Sequence, residues 1–577
     1  MSKNGKNKLA RIIAFAILIL LIACCTFAVW ISYRYKQILA ERLPLMIAKS
    51  TDSVYHISFR DIHVHIFTHN ITLTGLELWP DQKQVEKLKS AHRHIPPTLS
   101  TVSIPLLEAS GLVWKDIIDK GILDCGNVTV HQLKWLMVCR PNPQDSLLQH
   151  DQQKKPYISL IRAEHIDFNS PNIIYHYEGI KDSFSAFLRG GKASLQQFIY
   201  NFDERQDTSL FLYARSGKLR PDTFIFRKKV GIYTVRKPLL DFETTLNSIT
   251  LKDVKLKQMV DHNPNDGEKE IYDFDLPSIK LMDFNWNQLI NKSILQTSDV
   301  IATDPKMNIR YIDKNQPQTN KMGSYPHQLL LQVGLQTNLA TINIHNGYFK
   351  YTEVTKKDGD AVIEFTNIQG HFTNITNMTS IIAKHKSCTI KLKGKYMNKS
   401  DVSSTFDFYL GDTSGRFKMD GILENLDGED VMKQAQALTI VEVTSFHLDK
   451  MDMHIEGDGS YAKGNFTVLY KDLKISLLKF KSNFRKGKHG PFSFLGSALI
   501  LYPSNPMPGS EPRQVTTSFA RDPQKGFIGS LWENIYRAAK KSAVRNENLV
   551  NITDGKESSK GEERKKGFFQ RLFGKKH

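Results

Sequence analysis

Residues 102–128 read VSIPLLEASGLVWKDIIDKGILDCGNV, and residues 274–300 read FDLPSIKLMDFNWNQLINKSILQTSDV. The two stretches align without a gap at an offset of 172 residues, and seven of the 27 positions are identical. The identities include Pro105 with Pro277 and Trp114 with Trp286. Because unrelated windows share far fewer residues, this match indicates an internal duplication, the sequence signature of a fold built by repetition.

Each copy predicts a strand, one or two helical turns and a second strand. Short alternating apolar runs around Pro105 and Pro277 suit an edge strand, since proline cannot donate to a central ladder. Trp114, Ile117 and Ile118 would lie on one face of the short helix. Large apolar residues on one helix face are core residues far more often than ligand contacts, so we interpret them as structural.

Alternation of apolar and polar residues, the pattern of a half-buried strand, continues through most of the chain. Within residues 55–80, Ile62, Val64 and Ile66 point to one face of a predicted strand. Ile342 and Ile344 do the same in the second half. Such segments are so numerous that the sequence predicts a mainly β fold with a few short helices.

The opposite face of the first of these strands carries Asp61, His63 and His65, a spacing that can bind a metal ion. The polar face of an ordinary amphipathic strand explains these residues more simply, so no metal site is predicted.

Cys125 and Cys139 could form a disulfide in an oxidising compartment only if a hairpin joined them. A single strand would hold their thiols far beyond bonding distance.

An uncharged apolar run of 22 residues, 12–33, follows a basic N-terminus. About 20 apolar residues span a bilayer as a helix, whereas the apolar part of a secretory signal peptide has about 7–15. Residues 21–24 (LIAC) resemble a bacterial lipoprotein cleavage site at Cys24, but the apolar run continues past them. The sequence therefore predicts an uncleaved transmembrane anchor. Basic residues at both ends weakly favour an N-terminus inside and a chain mostly outside the cytoplasm.

The chain carries a net charge of +19 at pH 7, so an anionic partner is expected, either nucleic acid or a membrane surface. A Pro-rich segment, residues 501–526, precedes a basic C-terminal tail with apolar side chains at helical spacing. That spacing and the anchor favour an anionic membrane over nucleic acid. A disordered, solubilising tail is the alternative. The membrane-contact candidates are Trp532, Ile535, Phe568, Phe569, Leu572 and Phe573.

Motifs for familiar enzyme chemistry are absent from the sequence. No P-loop, dinucleotide-binding glycine motif, nucleophile elbow or HExxH motif occurs. Carboxylates are scattered along polar strand faces without a recognisable acid–base pair. The sequence therefore predicts no enzyme activity and no cofactor, while a hydrolase with a site that the sequence does not reveal is a third hypothesis.

The chain resembles the AsmA-like family of bacterial envelope proteins over roughly residues 10–500. The shared features are the single-pass anchor, the amphipathic opening strands of residues 55–80 and the unit at residues 102–128. The segment IHNGYFKY at 344–351, followed by the strand VIEFTNIQGHF at 362–372, adds to the resemblance. The basic C-terminal tail lies outside it.

This resemblance implies a bridge-like lipid-transfer protein, with an elongated, groove-like antiparallel β-structure after an anchor in the inner membrane. Most of the chain would be periplasmic, with a role in lipid transport or outer-membrane biogenesis. A long amphipathic sheet that does not close on itself must shelter one apolar face, and a phospholipid or another acyl lipid is one way to do so. The groove candidates are Ile62, Val64, Ile66, Ile342 and Ile344. A membrane-anchored scaffold with a closed core and no groove is the main alternative.

The predicted organisation has five parts. They are a cytoplasmic stub with the anchor (1–35), two β-rich halves (36–270 and 271–500), a Pro-rich linker (501–526) and a basic amphipathic tail (527–577).

Overall fold

The computed structural model describes scattered residues between 33 and 49 and most of residues 51–545. The gaps are residues 66, 92–94, 96–97, 114–115, 117–119, 141–158, 180–182, 202–209, 229–230, 237, 260–268, 286–287, 290–293, 313–319, 334, 355–359, 429–440, 478–500 and 524–525. The chain divides into two compact units, residues 1–254 and 255–577. The sequence predicted the equivalent boundary at residues 270/271.

The described part of the chain contains 26 strands, which confirms the prediction of a mainly β fold. The strands of the first unit are β1 (Tyr55–Ser58), β2 (Asp61–His65), β3 (Asn70–Pro80), β4 (Thr98–Ser110), β5 (Ile122–His131), β6 (Lys134–Cys139), β7 (Leu160–Asn169), β8 (Asn172–Glu178), β9 (Ser183–Arg189), β10 (Lys192–Asn201), β11 (Ala214–Arg220), β12 (Thr223–Lys228), β13 (Gly231–Arg236), β14 (Leu239–Glu243) and β15 (Ser248–Met259).

The second unit contains the remaining strands and most of the helical residues described. Its strands are β16 (Lys269–Met282), β17 (Ile294–Thr303), β18 (Lys306–Ile312), β19 (Gln336–Val354), β20 (Ala361–Thr376), β21 (Ser387–Tyr396), β22 (Ser400–Tyr409), β23 (Phe417–Asp427), β24 (Val441–Gly457), β25 (Tyr461–Leu477) and β26 (Gln514–Ala520). The α-helices with defined bounds are α1 (Gln82–Ser90) in the first unit, then α2 (Pro326–Gln332), α3 (Thr379–Ile382) and α4 (Phe527–Ala543) in the second.

The two copies of the duplicated segment have the same register in the sheet. In the first copy β4 pairs with β5, so that Ala109 lies opposite Val128. In the second copy β16 pairs with β17, and the residues 172 positions later, Leu281 and Val300, lie opposite each other. Residues 114–115, 117–119, 286–287 and 290–293, which belong to the predicted helical turns and include both tryptophans, lie outside the described residues.

The turn after the first strand of each copy is also equivalent. Gly111 has a φ of 71°, and its counterpart Asp283 has a φ of 48°. Glycine adopts this left-handed backbone freely, and aspartate is among the few other residues that tolerate it. The residues that follow, Leu112 and Phe284, are both buried. The turn therefore directs an equivalent apolar side chain into the interior in both copies.

The sheet is mixed, whereas the sequence predicted an antiparallel structure. β5 pairs in parallel with β7 and β6 with β8, and in the second unit β17 and β18 both pair in parallel with β19. Parallel neighbours need a crossover of about a dozen residues or more. The chain supplies such connections between Cys139 and Leu160 and between Ile312 and Gln336.

Part of the segment predicted as a linker belongs to the sheet. β26 pairs with β25 in antiparallel register. Four of the five prolines of the segment lie at positions 503–512, before β26, and the fifth, Pro523, lies after it, so the backbone donors of the strand are intact. Asn505 is buried among them, and its side chain donates to the Val468 and Arg513 carbonyl oxygens. This segment is thus packed into the second unit rather than joining it to a tail.

No helix among the residues that the structure describes is both long and apolar enough to cross a membrane. The predicted anchor, residues 12–33, lies outside them apart from Tyr33.

Candidate functional site

One face of the sheet in the first unit is apolar from strand to strand. Residues directly opposite each other on paired strands project to the same face. Two adjacent rows follow this rule across β2, β3, β4, β5, β7, β10, β11, β14 and β15. The first row is Ile62, Leu73, Leu107, Val130, Phe168, Ala193, Leu219, Leu240 and Leu251. The second row is Val64, Ile71, Ala109, Val128, Ile166, Leu195, Gly217, Phe242 and Ile249.

The opposite face of the same strands is polar. The row between the two apolar rows projects to that face and is Thr72, Glu108, Thr129, Asp167, Ser194, Lys218, Asp241 and Thr250. Strands lie about 4.8 Å apart, so a row over nine strands is about 40 Å long. The hydrocarbon of one bilayer leaflet is about 15 Å deep, half of the ~30 Å core. Each apolar row is therefore longer than an acyl chain.

Exposure along these rows is uneven. Ile62 and Val64, two of the predicted groove residues, retain only 1 % and 5 % of their surface. Leu195 and Leu219, farther along, are half-buried. These predicted residues thus lie on the apolar face, but the more accessible positions are farther along the rows. Ile66 lies outside the described residues.

The second unit has an equivalent apolar row, which includes the predicted residue Ile342. The row is Leu281, Val300, Ile342, Phe372, Ile390, Phe406, Met419, Ile455, Gly464 and Thr517. Ile342 and Ile344 are half-buried, and Ile344 lies opposite Ala302 and Gly370 on the same face. These two residues therefore line a partly open stretch of apolar sheet.

Helix α4 covers the far end of the row in the second unit. The Phe527 ring lies 5.1 Å from the Phe417 ring and 5.4 Å from the Phe408 ring, measured between centroids. Thr517 Oγ1 donates a hydrogen bond of 2.6 Å to Asn534 Oδ1, and both residues are fully buried. The apolar face is consequently closed over β22–β26.

This packing bears on the predicted membrane contacts in α4. Ile535 packs against the core of the second unit, together with buried Leu531 and Ala538. The apolar stripe of the helix faces the sheet because the sheet offers a matching apolar surface. Trp532 is half-buried, whereas Ile528 is half-exposed on the outer side. Phe568, Phe569, Leu572 and Phe573 lie outside the described residues.

The C-terminal end of α4 is clamped to the sheet. Arg513 Nη2 donates to the Ser542 carbonyl oxygen at 3.2 Å and to the Ser504 carbonyl oxygen at 2.9 Å. The same guanidinium lies 3.9 Å from the ring centre of Tyr502, whose backbone N–H donates to Ala543 O. A cation at a helix C-terminus is favoured by the helix dipole. The helix is thus fixed at its last turn.

A buried aromatic cluster lies under the first turn of α4 and contains His327. The His327 ring is 5.0 Å from the Phe408 ring, and neither imidazole nitrogen has a hydrogen-bond partner among the described residues. Burial lowers the pKa of His327 to about 4, and nearby Asp412 opposes this shift. Arg521 lies 4.1 Å over the ring of Tyr325 in the same cluster. We interpret this cluster as core packing, because α4 covers it.

Metal and thiol chemistry receive no support from the described part of the chain. His63 Nε2 lies 3.0 Å from Asp61 Oδ2, and Lys36 lowers the pKa of Asp61 by hydrogen bonding to its carboxylate. No group of three His, Cys, Asp or Glu side chains there could hold a metal ion.

Cys125 and Cys139 are free and buried on successive strands, so the disulfide does not form. Burial raises the pKa of Cys125 to about 11, so its thiol stays protonated near neutral pH.

Comparison with known proteins finds no matching family model, curated protein or solved structure. The candidate site therefore rests on the geometry of the apolar rows. Most of their members, such as Phe168, Leu195 and Leu219, were missed by sequence reasoning. The alternation within each strand was visible, but their alignment depends on pairings between distant strands.

Proposed function

We propose that this chain is a membrane-anchored, non-enzymatic lipid-transfer or outer-membrane-biogenesis protein that holds acyl chains along its apolar sheet face. The single observation that supports this proposal is the unbroken apolar row across nine strands of the first unit, with most of its members only half-buried. A sheet face of this kind must be covered by another apolar surface.

The energetics suit a mobile acyl ligand. An acyl chain gains about 0.8 kcal/mol for each methylene group removed from water. Contact of an acyl chain with a few half-buried side chains, such as Ile166, Leu195 and Leu219, would therefore stabilise binding. Because the row repeats similar aliphatic contacts, no single position should trap the chain strongly. This property favours transfer over storage of a single lipid.

The flanking segments supply the membrane contacts of the proposal. The apolar run at residues 12–33 would anchor the chain in the inner membrane, with the bulk of the chain in the periplasm. The basic, Phe-bearing tail would contact an anionic membrane surface through residues such as Phe568 and Phe573.

A scaffold with a closed core is the second candidate function, and one observation favours it. Helix α4 closes the apolar face over β22–β26 with a well-packed aromatic cluster. If other segments covered the remaining rows in the same way, no surface would be left for lipid.

Photo-crosslinking on opposite faces of one strand separates the two candidates. The photoreactive amino acid p-benzoylphenylalanine replaces Phe168, on the apolar face, or its neighbour Asp167, on the polar face, in the full chain. Irradiation in cells followed by mass spectrometry should give phospholipid adducts at position 168 and not at position 167. Equal adducts at both positions, or protein adducts only at 168, would contradict lipid binding and favour the scaffold.

A further inference from the structure

Four large apolar side chains are exposed within residues 322–333 of the second unit. They are Met322 at 42 %, Leu329 at 48 %, Leu331 at 40 % and Val333 at 47 % of their full surface. No other stretch of this length in the described chain exposes as many, and the remaining exposed apolar residues are scattered. We call these four side chains the Leu329 patch. Exposed apolar groups of this kind mark interaction surfaces.

The exposure follows from how the short helix α2 is attached. Tyr325 and His327 anchor it, because both are buried in the aromatic cluster beside Phe527. Residues 329–331 are three consecutive leucines, and a helix turns by about 100° at each residue. They cannot all face the core, so Leu329 and Leu331 point toward solvent.

Polar contacts hold the backbone of this segment in place. Arg521 Nη2 donates to the Lys321 carbonyl oxygen at 2.8 Å, before the helix. Asn377 Nδ2 donates to the Val333 carbonyl oxygen at 3.2 Å, after it. The apolar side chains are therefore presented on a fixed support, which lowers the entropy cost of binding a partner.

The segments around the Leu329 patch carry more basic than acidic side chains. Residues 321–333 and 377–386, which Asn377 joins, contain Lys321, Lys384 and Lys386. The segment 412–416, whose Thr413 carbonyl oxygen accepts a hydrogen bond from Gln328 of α2, adds Asp412 and Arg416, and Asp458 accepts through its carbonyl oxygen from Tyr325. Lys384 and Lys386 are exposed. Each lysine near an anionic membrane surface is worth about 1 kcal/mol of attraction.

We infer that the Leu329 patch inserts into the interface of an anionic phospholipid bilayer. Its aliphatic side chains would enter the boundary between headgroups and acyl chains, and the exposed Lys384 and Lys386 would pair with lipid phosphates. The combination of outward-pointing aliphatic side chains and an excess of basic over acidic side chains around them fits a fluid anionic surface. This contact goes beyond the proposed function, because it uses none of the side chains of the apolar rows.

A site-specific fluorescent probe tests this inference in the full chain. Cys24 and Cys25 are replaced by serine, and the environment-sensitive dye NBD is attached to Leu331→Cys. A matched control carries the dye at Leu246→Cys, which is 63 % exposed in the first unit. The proteins are reconstituted in vesicles of phosphatidylcholine with or without phosphatidylglycerol. Any other membrane-bound segment is then the same in the two labelled proteins.

The dye at position 331 should show a blue-shifted, brighter emission only with phosphatidylglycerol, whereas the dye at 246 should not change. Lys384→Glu with Lys386→Glu should raise the lipid concentration needed for the response at 331 by about thirtyfold or more, since two attractions are lost and two repulsive charges replace them. If position 331 stays as water-exposed as position 246, the inference is wrong. A response that is independent of anionic lipid would contradict the role of the lysines. Lipid adducts at position 168 would be unaffected in either case, so the two proposals can fail separately.

Discussion

At the scale of single residues, the core of the second unit contains polar groups that cost stability. His327 is buried without a hydrogen-bond partner among the described residues, and Asn534 Nδ2, on the buried face of α4, also lacks one. A buried polar atom without a partner costs about 1–3 kcal/mol. Apolar packing around Phe408 and Phe527 therefore has to outweigh these costs for α4 to stay in place.

His327 makes the second unit sensitive to acid. In the unfolded chain the imidazole takes up a proton near its ordinary pKa of 6.5, whereas in the folded protein it does so only near pH 4. The unfolded state binds more protons between these values, so stability falls as the pH decreases through this window, by up to about 3 kcal/mol. His327→Phe should remove most of this loss, because phenylalanine fits the aromatic cluster and does not titrate.

Urea unfolding of the full chain near pH 7 and near pH 4.5 measures this effect. The parent should lose more stability between the two conditions than the His327→Phe variant. His345→Phe, at an exposed histidine, is the matched control and should behave like the parent. If all three proteins lost the same free energy of unfolding between pH 7 and pH 4.5, His327 would not titrate as its burial requires.

At the scale of elements, α4 shows how one amphipathic pattern can serve two purposes. The helical spacing of Leu531, Ile535 and Ala538 was visible in the sequence and was interpreted as part of a membrane-contacting tail. In the structure this stripe packs against the sheet. The interpretation of a separate tail beginning at residue 527 therefore conflicts with the packing, while residues 546–577 lie outside the described residues.

Two C-terminal deletions separate the helix from the residues beyond it. Removing residues 546–577 should leave the thermal transition of the second unit unchanged, since α4 ends at Ala543. Removing residues 527–577 should cost on the order of 5 kcal/mol, because several large apolar side chains, among them Phe527 and Leu531, leave the core at about 2 kcal/mol each.

Thermal unfolding and binding of a hydrophobic dye to the full chain and both truncated chains provide the measurement. The longer deletion should expose the face around Phe417 and increase dye binding. Retention of the parental transition after that deletion would mean that α4 contributes little to the core.

At the scale of the whole molecule, the repeated feature is a sheet with one apolar and one polar face in each unit. The polar face is fixed by side-chain contacts such as Asn343 Nδ2 donating to Asp299 Oδ1 at 2.8 Å. The apolar face is closed by α4 at one end of the second unit and is half-buried around Ile342. Lipid contact should therefore depend on position along the rows.

A series of crosslinkers along the apolar row of the second unit tests this dependence. The photoreactive residue at Ile342 or Phe372 should capture phospholipid. At Ile455, which is fully buried in the core that α4 closes, it should give no lipid adduct. Thermal melting checks that each variant is folded, and lipid adducts at Ile455 in a folded variant would argue against closure by α4.

The sequence by itself determined the features that depend on local spacing. Alternation defined the faces of the strands that contain Ile62, Val64, Ile342 and Ile344, and the 172-residue repeat anticipated the shared register of Val128 and Val300. These features could be predicted because a strand alternates its side chains regardless of its neighbours.

Only the tertiary structure decided which strands are neighbours and what covers the apolar faces. The parallel pairing of Val128 with Ile166 depends on a crossover, and no local pattern specifies it. The position of Ile535 against the sheet could not be read from the sequence either. An apolar helix stripe is stabilised by any apolar surface, whether membrane or sheet, so its partner is determined only by which surface the folded chain places beside it.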